Sequence, residues 1–302
     1  MTETTATKQR DPRVTARPEI PERAAESETE RRELRAKKEI DLGVLDGTIE
    51  RDLGYQVQTI LLELVNSQQM NFGQFYEIWL QQLHGLLKEL ASAPKPPSSP
   101  DHHSYLGHLV HRVISHYEDY YRVKSHSACT PQVGVFYIFS APWLSSLERS
   151  LHWVAGWRPT TIFHLLYTET SARFEARLLD FLHGLRTGDL GDLSPSQLSR
   201  VSDLQCFTVS EENVITDQLG LWQESACDLV SLSRVDEDDP ETQRLLLILK
   251  NADDLRLRTM KKVVEILTPQ QAVEFLIAAA ELQFGVRGWG LDKDQDRENR
   301  SS

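Results

Sequence analysis

Apolar residues along this 302-residue chain recur at steps of three and four, and no strand-length stretch alternates with a period of two. Phe72, Phe75, Tyr76, Trp79, Leu80, Leu83, Leu86, Leu87 and Leu90 form one wide stripe, which predicts a helix. The run Ala93-Pro94-Lys95-Pro96-Pro97-Ser98-Ser99-Pro100 ends it, because successive prolines fix φ and remove amide donors. A second stripe of Leu106, Leu109, Val110, Val113, Tyr117, Tyr120 and Tyr121 predicts a helix from about Ser104 to Ser125, with Glu118 and Arg122 four apart in the orientation that favours pairing. Val133 to Phe139 is a short apolar run that fits an extended segment and a helical turn equally well. Pro142-Trp143 introduces a helix to about Ala155, with Gly156 as its C-cap and Pro159 beyond it. A further helix starts at Thr160 or Thr161, carries Ile162, Leu165, Leu166, Phe174, Leu178, Leu179 and Leu182, and ends near Gly184.

Two helix starts are marked by their chemistry. Ser194-Pro195-Ser196-Gln197 and Thr268-Pro269-Gln270-Gln271 each put a hydroxyl at the N-cap, proline at the first helical position and glutamine at the third. The first opens a long helix through Leu198, Val201, Leu204, Ile215, Leu219 and Trp222. The second opens a short one through Val273, Leu276, Ile277 and Leu282, with Gly285 beyond its end and a loose charged tail after Gly290. Between them, Asp239-Pro240 opens a helix carrying Leu245, Leu246, Leu249, Leu255 and Val263. Upstream, Ile49, Leu53, Val57, Ile60 and Leu64 predict an amphipathic helix of about two heptads, too short to define a coiled coil. The fold class is therefore all-α: a multi-helix bundle with long antiparallel helices and a disordered N-terminal extension. The chain divides into a charged, disordered extension (1–45), the amphipathic helix (46–70), the helical domain (71–290) and the loose charged tail (291–302).

Composition narrows the function. A net charge of −12 disfavours non-specific wrapping of nucleic acid, which needs clustered cations. The one basic run, Arg31-Arg32-Glu33-Leu34-Arg35-Ala36-Lys37-Lys38, reads as a solvated charged segment or, alternatively, as a nuclear import signal or weak phosphate contact. The three cysteines have no short spacing, so neither a disulfide framework nor a zinc knuckle is expected, and a reducing intracellular compartment fits. No stretch of about 18 apolar residues exists, so no membrane span is expected.

The sequence has no Gly-rich phosphate loop, no His-Glu-x-x-His and no nucleophile elbow. His102, His103, His108, His111 and His116 cluster, and His108 and His111 share a helical face, but no carboxylate or cysteine at matching spacing completes a metal site. Glu148, Arg149 and Arg158 lie among Trp143, Trp153 and Trp157, which suggests either a ligand pocket or, more simply, buried ion pairs with an Arg stacked on an indole. No catalytic residue, metal or cofactor is expected.

Four blocks resemble a known family. His116-Tyr117-Glu118-Asp119-Tyr120-Tyr121-Arg122-Val123-Lys124-Ser125 is similar to a block of the plant DELAY OF GERMINATION domain, which also forms the C-terminal half of TGA-type bZIP transcription factors. So is Pro142-Trp143-Leu144-Ser145-Ser146-Leu147-Glu148-Arg149, continuing to Trp153, Gly156, Trp157, Arg158 and Pro159. Leu193-Ser194-Pro195-Ser196-Gln197-Leu198 resembles the next block, and Ala252-Asp253-Asp254-Leu255-Arg256 with Leu267-Thr268-Pro269-Gln270-Gln271-Ala272 the last. In that resemblance Tyr117, Glu118, Arg122, Trp143, Glu148, Arg149, Trp153, Gly156, Arg158 and Pro159 are family residues with a structural role.

The resemblance implies a non-catalytic plant regulator of dormancy, development or stress, acting through protein partners in the nucleus and/or cytoplasm. Dormancy members engage type 2C protein phosphatases through the first helix, where Tyr76 and Trp79 match the aromatic pair; these two are either partner anchors or core. Transcription regulators are the other implied partners, and a homo-oligomer stays open. Sequence-specific DNA binding of the TGA kind is the alternative, although nothing before Asn71 matches the base-reading core of a TGA basic region. A haem or small-ligand sensor is the second alternative. Some relatives bind haem through two late histidines, and those positions are Gln283 and Arg287 here, so no haem is expected at that site.

Overall fold

The computed structural model of the protein describes residues 71–130, 134–228 and 240–301. The amphipathic segment read at 46–70, the extension before it and the basic run Arg31 to Lys38 lie outside the described residues. Every regular element among the described residues is helical, as the three-and-four periodicity requires.

Helix α1 (Phe72–Ser92) starts at a capping box: Asn71 accepts from the Gln74 amide at 2.8 Å, and the Gln74 side chain accepts from the Asn71 amide at 2.9 Å. Helix α2 (Pro100–Ala128) starts at Ser99 with proline in its first turn. The two run antiparallel, since Glu89 pairs with Arg112, Trp79 with His116 and Phe72 with Tyr120. The apolar run left undecided by its pattern is a helix, α3 (Gly134–Ser140), with Val135 and Ile138 in the core.

The stretch after Pro142 departs from the sequence expectation. Only five residues are helical, α4 (Ser146–Ser150), and the chain then loops from Leu151 to Thr160. Val154 and Ala155 stand at φ of 48° and 55°, a region that side chains with a Cβ avoid. Gly156 is thus not a helix cap; it lies against the Arg256 guanidinium, where a Cβ would come within 2.8 Å of Cζ. The helix predicted from Thr161 to Gly184 is broken at Arg177 into α5 (Thr161–Ala176) and α6 (Leu178–Leu182).

A 3-10 turn, η1 (Leu190–Asp192), precedes α7 (Pro195–Asp228); α8 (Pro240–Ile266) packs antiparallel along α7. Helix α9 (Pro269–Ser301) does not stop at Gly285, and the segment after Gly290 expected to be loose is helical. The reason is a partner: Gly290 lets α9 touch α4, and Asp294 accepts from the Ser146 amide at 2.8 Å and from its hydroxyl, capping α4. Both capping boxes read from the sequence form, with Ser194 and Gln197 exchanging bonds at 3.2 and 2.9 Å and Thr268 and Gln271 at 3.3 and 3.0 Å. The two glutamines also meet, Gln197 donating to Gln271 at 2.7 Å, so the starts of α7 and α9 form one junction.

The core lies where α1, α2 and α9 meet, with α5 and α8 closing it. Trp79, Phe72, Phe75, Phe163 and Phe275 are its largest fully buried apolar residues.

Candidate functional site

Three buried polar clusters account for most of the family residues. The first surrounds the irregular loop. Lys124, on the same α2 stripe as Tyr117 and Tyr121, is buried and donates to Asp253 Oδ1 at 2.9 Å and to the Ala155 carbonyl at 2.8 Å. Arg256, one turn from Asp253 on α8, donates to the same oxygen at 2.5 Å. Its remaining donors take the carbonyls of Trp157 at 2.6 Å, Val154 at 2.9 Å and Trp153. One arginine fork therefore gathers three loop carbonyls, which offsets the left-handed backbone at Val154 and Ala155. Burial, against the attraction of Asp253, pulls the Lys124 ammonium down to about 8.

The second cluster fastens the same loop to α7. Glu212 is 3% exposed and accepts from Arg158 Nε at 3.0 Å and from the Thr160 amide at 2.6 Å, which caps α5 with a negative charge. Trp153 donates to Thr216 at 3.0 Å, and both Arg256 and Arg158 lie over its ring, at 5.4 and 5.8 Å. Pro159 is buried beside them.

The third cluster joins α1, α4 and α9. Glu148, the N3 residue of α4, accepts from the Ser145 amide and hydroxyl at 2.9 and 2.8 Å and from Arg287 at 3.2 Å. Arg287 also pairs with Glu77 and lies 5.2 Å over the Tyr76 ring. The partner of Glu148 is thus Arg287, 139 residues away, while Arg149 donates to the Leu144 carbonyl at 3.0 Å. Arg122 pairs with Asp119, and Glu118 crosses to Lys261 of α8. Tyr117 donates to Gln283 at 3.2 Å, and Trp143 packs on Phe72 at 4.6 Å.

Tyr76 and Trp79 are core residues, 4% and 1% exposed. Trp79 donates to the His116 carbonyl at 3.0 Å, His116 Nε2 donates back to the Trp79 carbonyl at 3.0 Å, and the rings stack at 5.0 Å. As they stand, neither aromatic presents a face to a partner. At the two positions that the resemblance assigns to haem ligation, Gln283 accepts from Tyr117 and Arg287 pairs with two carboxylates; neither offers an imidazole, so these residues do not fit a haem iron. Among the described residues no group of three metal-ligating side chains converges, His108 and His111 included.

Lys124, Asp253 and Arg256 fall within the resembling blocks, and the sequence motifs alone do not mark them as a site. The available signal was a charge on an apolar stripe: Lys124 follows Tyr117, Tyr120 and Tyr121 at helical spacing, and Asp253 and Arg256 flank Leu255 between Leu249 and Met260.

These features define an all-α module in which Lys124, Glu148, Glu212, Asp253, Arg256 and Arg287 are buried charges that brace helices and loop against one another. The family model for seed dormancy control, DOG1, matches residues 86–168, from the last third of α1 to the middle of α5. The chain is 30% identical to DOG1-like 4 of Arabidopsis thaliana over 234 residues, 72% of this chain and 91% of that protein. It is 27% identical to DOG1-like 3 of the same plant over 256 residues, covering 76% of this chain and 87% of that one. The chain belongs to the DOG1 family of plant proteins. It is also 24% identical to the Arabidopsis transcription factor TGA7 over 227 residues, 55% of that factor's length. No helix among the described residues is long and apolar enough to cross a membrane.

Proposed function

We propose that this chain is a non-catalytic plant regulator that works by binding other proteins in signalling or transcriptional control, in the nucleus and/or cytoplasm. One observation supports this above the rest. Lys124, Glu148, Asp253 and Arg256 of the resembling blocks are buried and brace the fold, while large apolar side chains stay outside. Leu179 and Leu182 of α6 are 71% and 72% exposed, and Leu185, 57% exposed, lines a groove of about 620 Å3 between α5, α6 and the start of α7. A surface of that kind suits a macromolecular contact better than a small substrate.

Affinity recovery from plant nuclear and cytosolic extracts tests the reading. The expected result is a reproducible partner retained by the wild type and lost with Leu179→Asp/Leu182→Asp; recovery of no partner would overturn it. Type 2C phosphatases and transcription regulators are the partner classes to try as purified proteins. A phosphatase bound at α1 would meet the outward Gln81, His84 and Lys88 rather than Tyr76 or Trp79.

The similarity to TGA7 favours a second reading, sequence-specific DNA binding through the segment before residue 71. Deleting residues 1–40 should then abolish the shift of a TGA-type element. Failure of the full chain to shift that DNA at low salt removes this reading.

A further inference from the structure

Helix α7 buries one face and leaves the other open. Val201, Thr208, Glu212 and Ile215 turn inward, all at 5% exposure or less. On the outer face Phe207, Val214 and Leu221 repeat every seven residues and are 52%, 52% and 59% exposed. Asp203, Ser210, Asp217 and Glu224, also exposed, repeat every seven residues between them. The combined steps of four and three trace the seam of a heptad helix, apolar at a and polar or acidic at d, over about 32 Å.

The charge of the helix is one-sided. From Pro195 to Asp228 the sequence holds six carboxylates and one cation, Arg200. The face already accommodates a guanidinium: Arg258 of α8 lies 5.7 Å over Phe207 and reaches Glu211 at 3.4 Å. A second copy of this chain fits poorly. Parallel pairing sets Asp217 against Asp217 and Glu224 against Glu224, and antiparallel pairing buries those carboxylates against apolar residues.

We propose that the outer seam of α7 is a docking surface for a partner helix with apolar a and basic d positions, paired as a short two-stranded coiled coil. This rests on the interaction-module reading and supplies the chemistry of one partner. Apolar a residues would fill the gaps between Phe207, Val214 and Leu221, and Lys or Arg at d would meet Asp203, Asp217 and Glu224.

The test uses the full-length protein and two labelled peptides of about four heptads, both with Leu at a, one with Lys and one with Glu at d. The Lys peptide should bind at least about ten-fold more tightly in fluorescence anisotropy. Val214→Asp and Leu221→Asp should remove binding with the far-UV circular dichroism unchanged, and Asp217→Lys/Glu224→Lys should reverse the preference. Equal binding of the two peptides overturns the proposal. So does Lys-peptide binding that Val214→Asp leaves intact, which would be general attraction to an acidic chain, and so does self-association abolished by Val214→Asp. Partners recovered equally by the wild type and Val214→Asp would refute the seam and leave the interaction-module reading standing. A wild type that recovers none refutes that reading, whatever the peptides do.

Discussion

Replacing His116 by glutamine should flatten the acid side of the stability profile. His116 is 6% exposed, stacked on Trp79, and donates from Nε2 to the Trp79 carbonyl. Burial, opposed only by that backbone bond, pulls its pKa from 6.5 down to about 4. A group depressed on folding leaves the unfolded chain holding more protons between the two values. Its contribution is complete above pH 6.5 and is lost as the pH falls through 4. At pH 5 an imidazole so shifted has removed about 2 kcal/mol relative to pH 7.5. His152 acts in the same direction, pushed down to about 3 by burial and by the charges of Lys124, Arg256 and Arg149, so the wild type should lose more than His116 alone supplies. The measured quantity is therefore a difference. Glutamine keeps an amide donor for the carbonyl and has no proton to gain. Urea melts followed by tryptophan fluorescence, at pH 7.5 and pH 5, should show His116→Gln losing about 2 kcal/mol less than the wild type. Equal losses in the two proteins would show that burial does not set the His116 proton affinity.

Asp253→Asn leaves Lys124 and Arg256 buried without their shared counter-ion, and should cost about 3–5 kcal/mol in a urea melt. Gly290→Ala brings a Cβ within 2.8 Å of Ser145 Cβ and 3.1 Å of Leu147 Cβ; prising α4 off α9 should cost about 1–3 kcal/mol, read as a lowered melting temperature. Gln197→Ala and Gln271→Ala each remove a capping bond worth about 1 kcal/mol, but the two side chains bond each other, so the double variant should depart from additivity by about 0.5 kcal/mol or more in a double-mutant cycle.

Where the fold is regular, the sequence showed it. The stripe from Phe72 to Leu90 is buried along one side, and the two hydroxyl-proline-glutamine starts sit at helix N-termini, because both signals are local and carry their own geometry. The loop from Leu151 to Thr160 was not readable, since its shape is imposed by Lys124, Glu212 and Arg256 from three other helices. A run of Trp, Val, Ala and Gly there scores as a helix with a glycine end. Gly285 and Gly290 mislead in a related way: a glycine reads as a helix terminus, yet α9 runs through both, and at Gly290 the missing Cβ makes room for Ser145 of another segment. The aromatic pair Tyr76 and Trp79 shows the limit of analogy, because the same spacing serves a core stripe and a docking stripe. Charges carried on apolar stripes, at Lys124, Asp253 and Arg256, were the legible trace of the interior braces.

Asp294 closes the N-terminus of α4, and Arg287 holds Glu148 in that same first turn, so the short helix depends on two residues late in α9. For anyone handling the protein this reverses a common habit. A charged, glycine-bearing end invites trimming before expression, yet a cut at Gly285 would discard the arginine and the aspartate together and unfasten a helix that lies half the chain away. A truncation that keeps Asp294 leaves both fastenings in place.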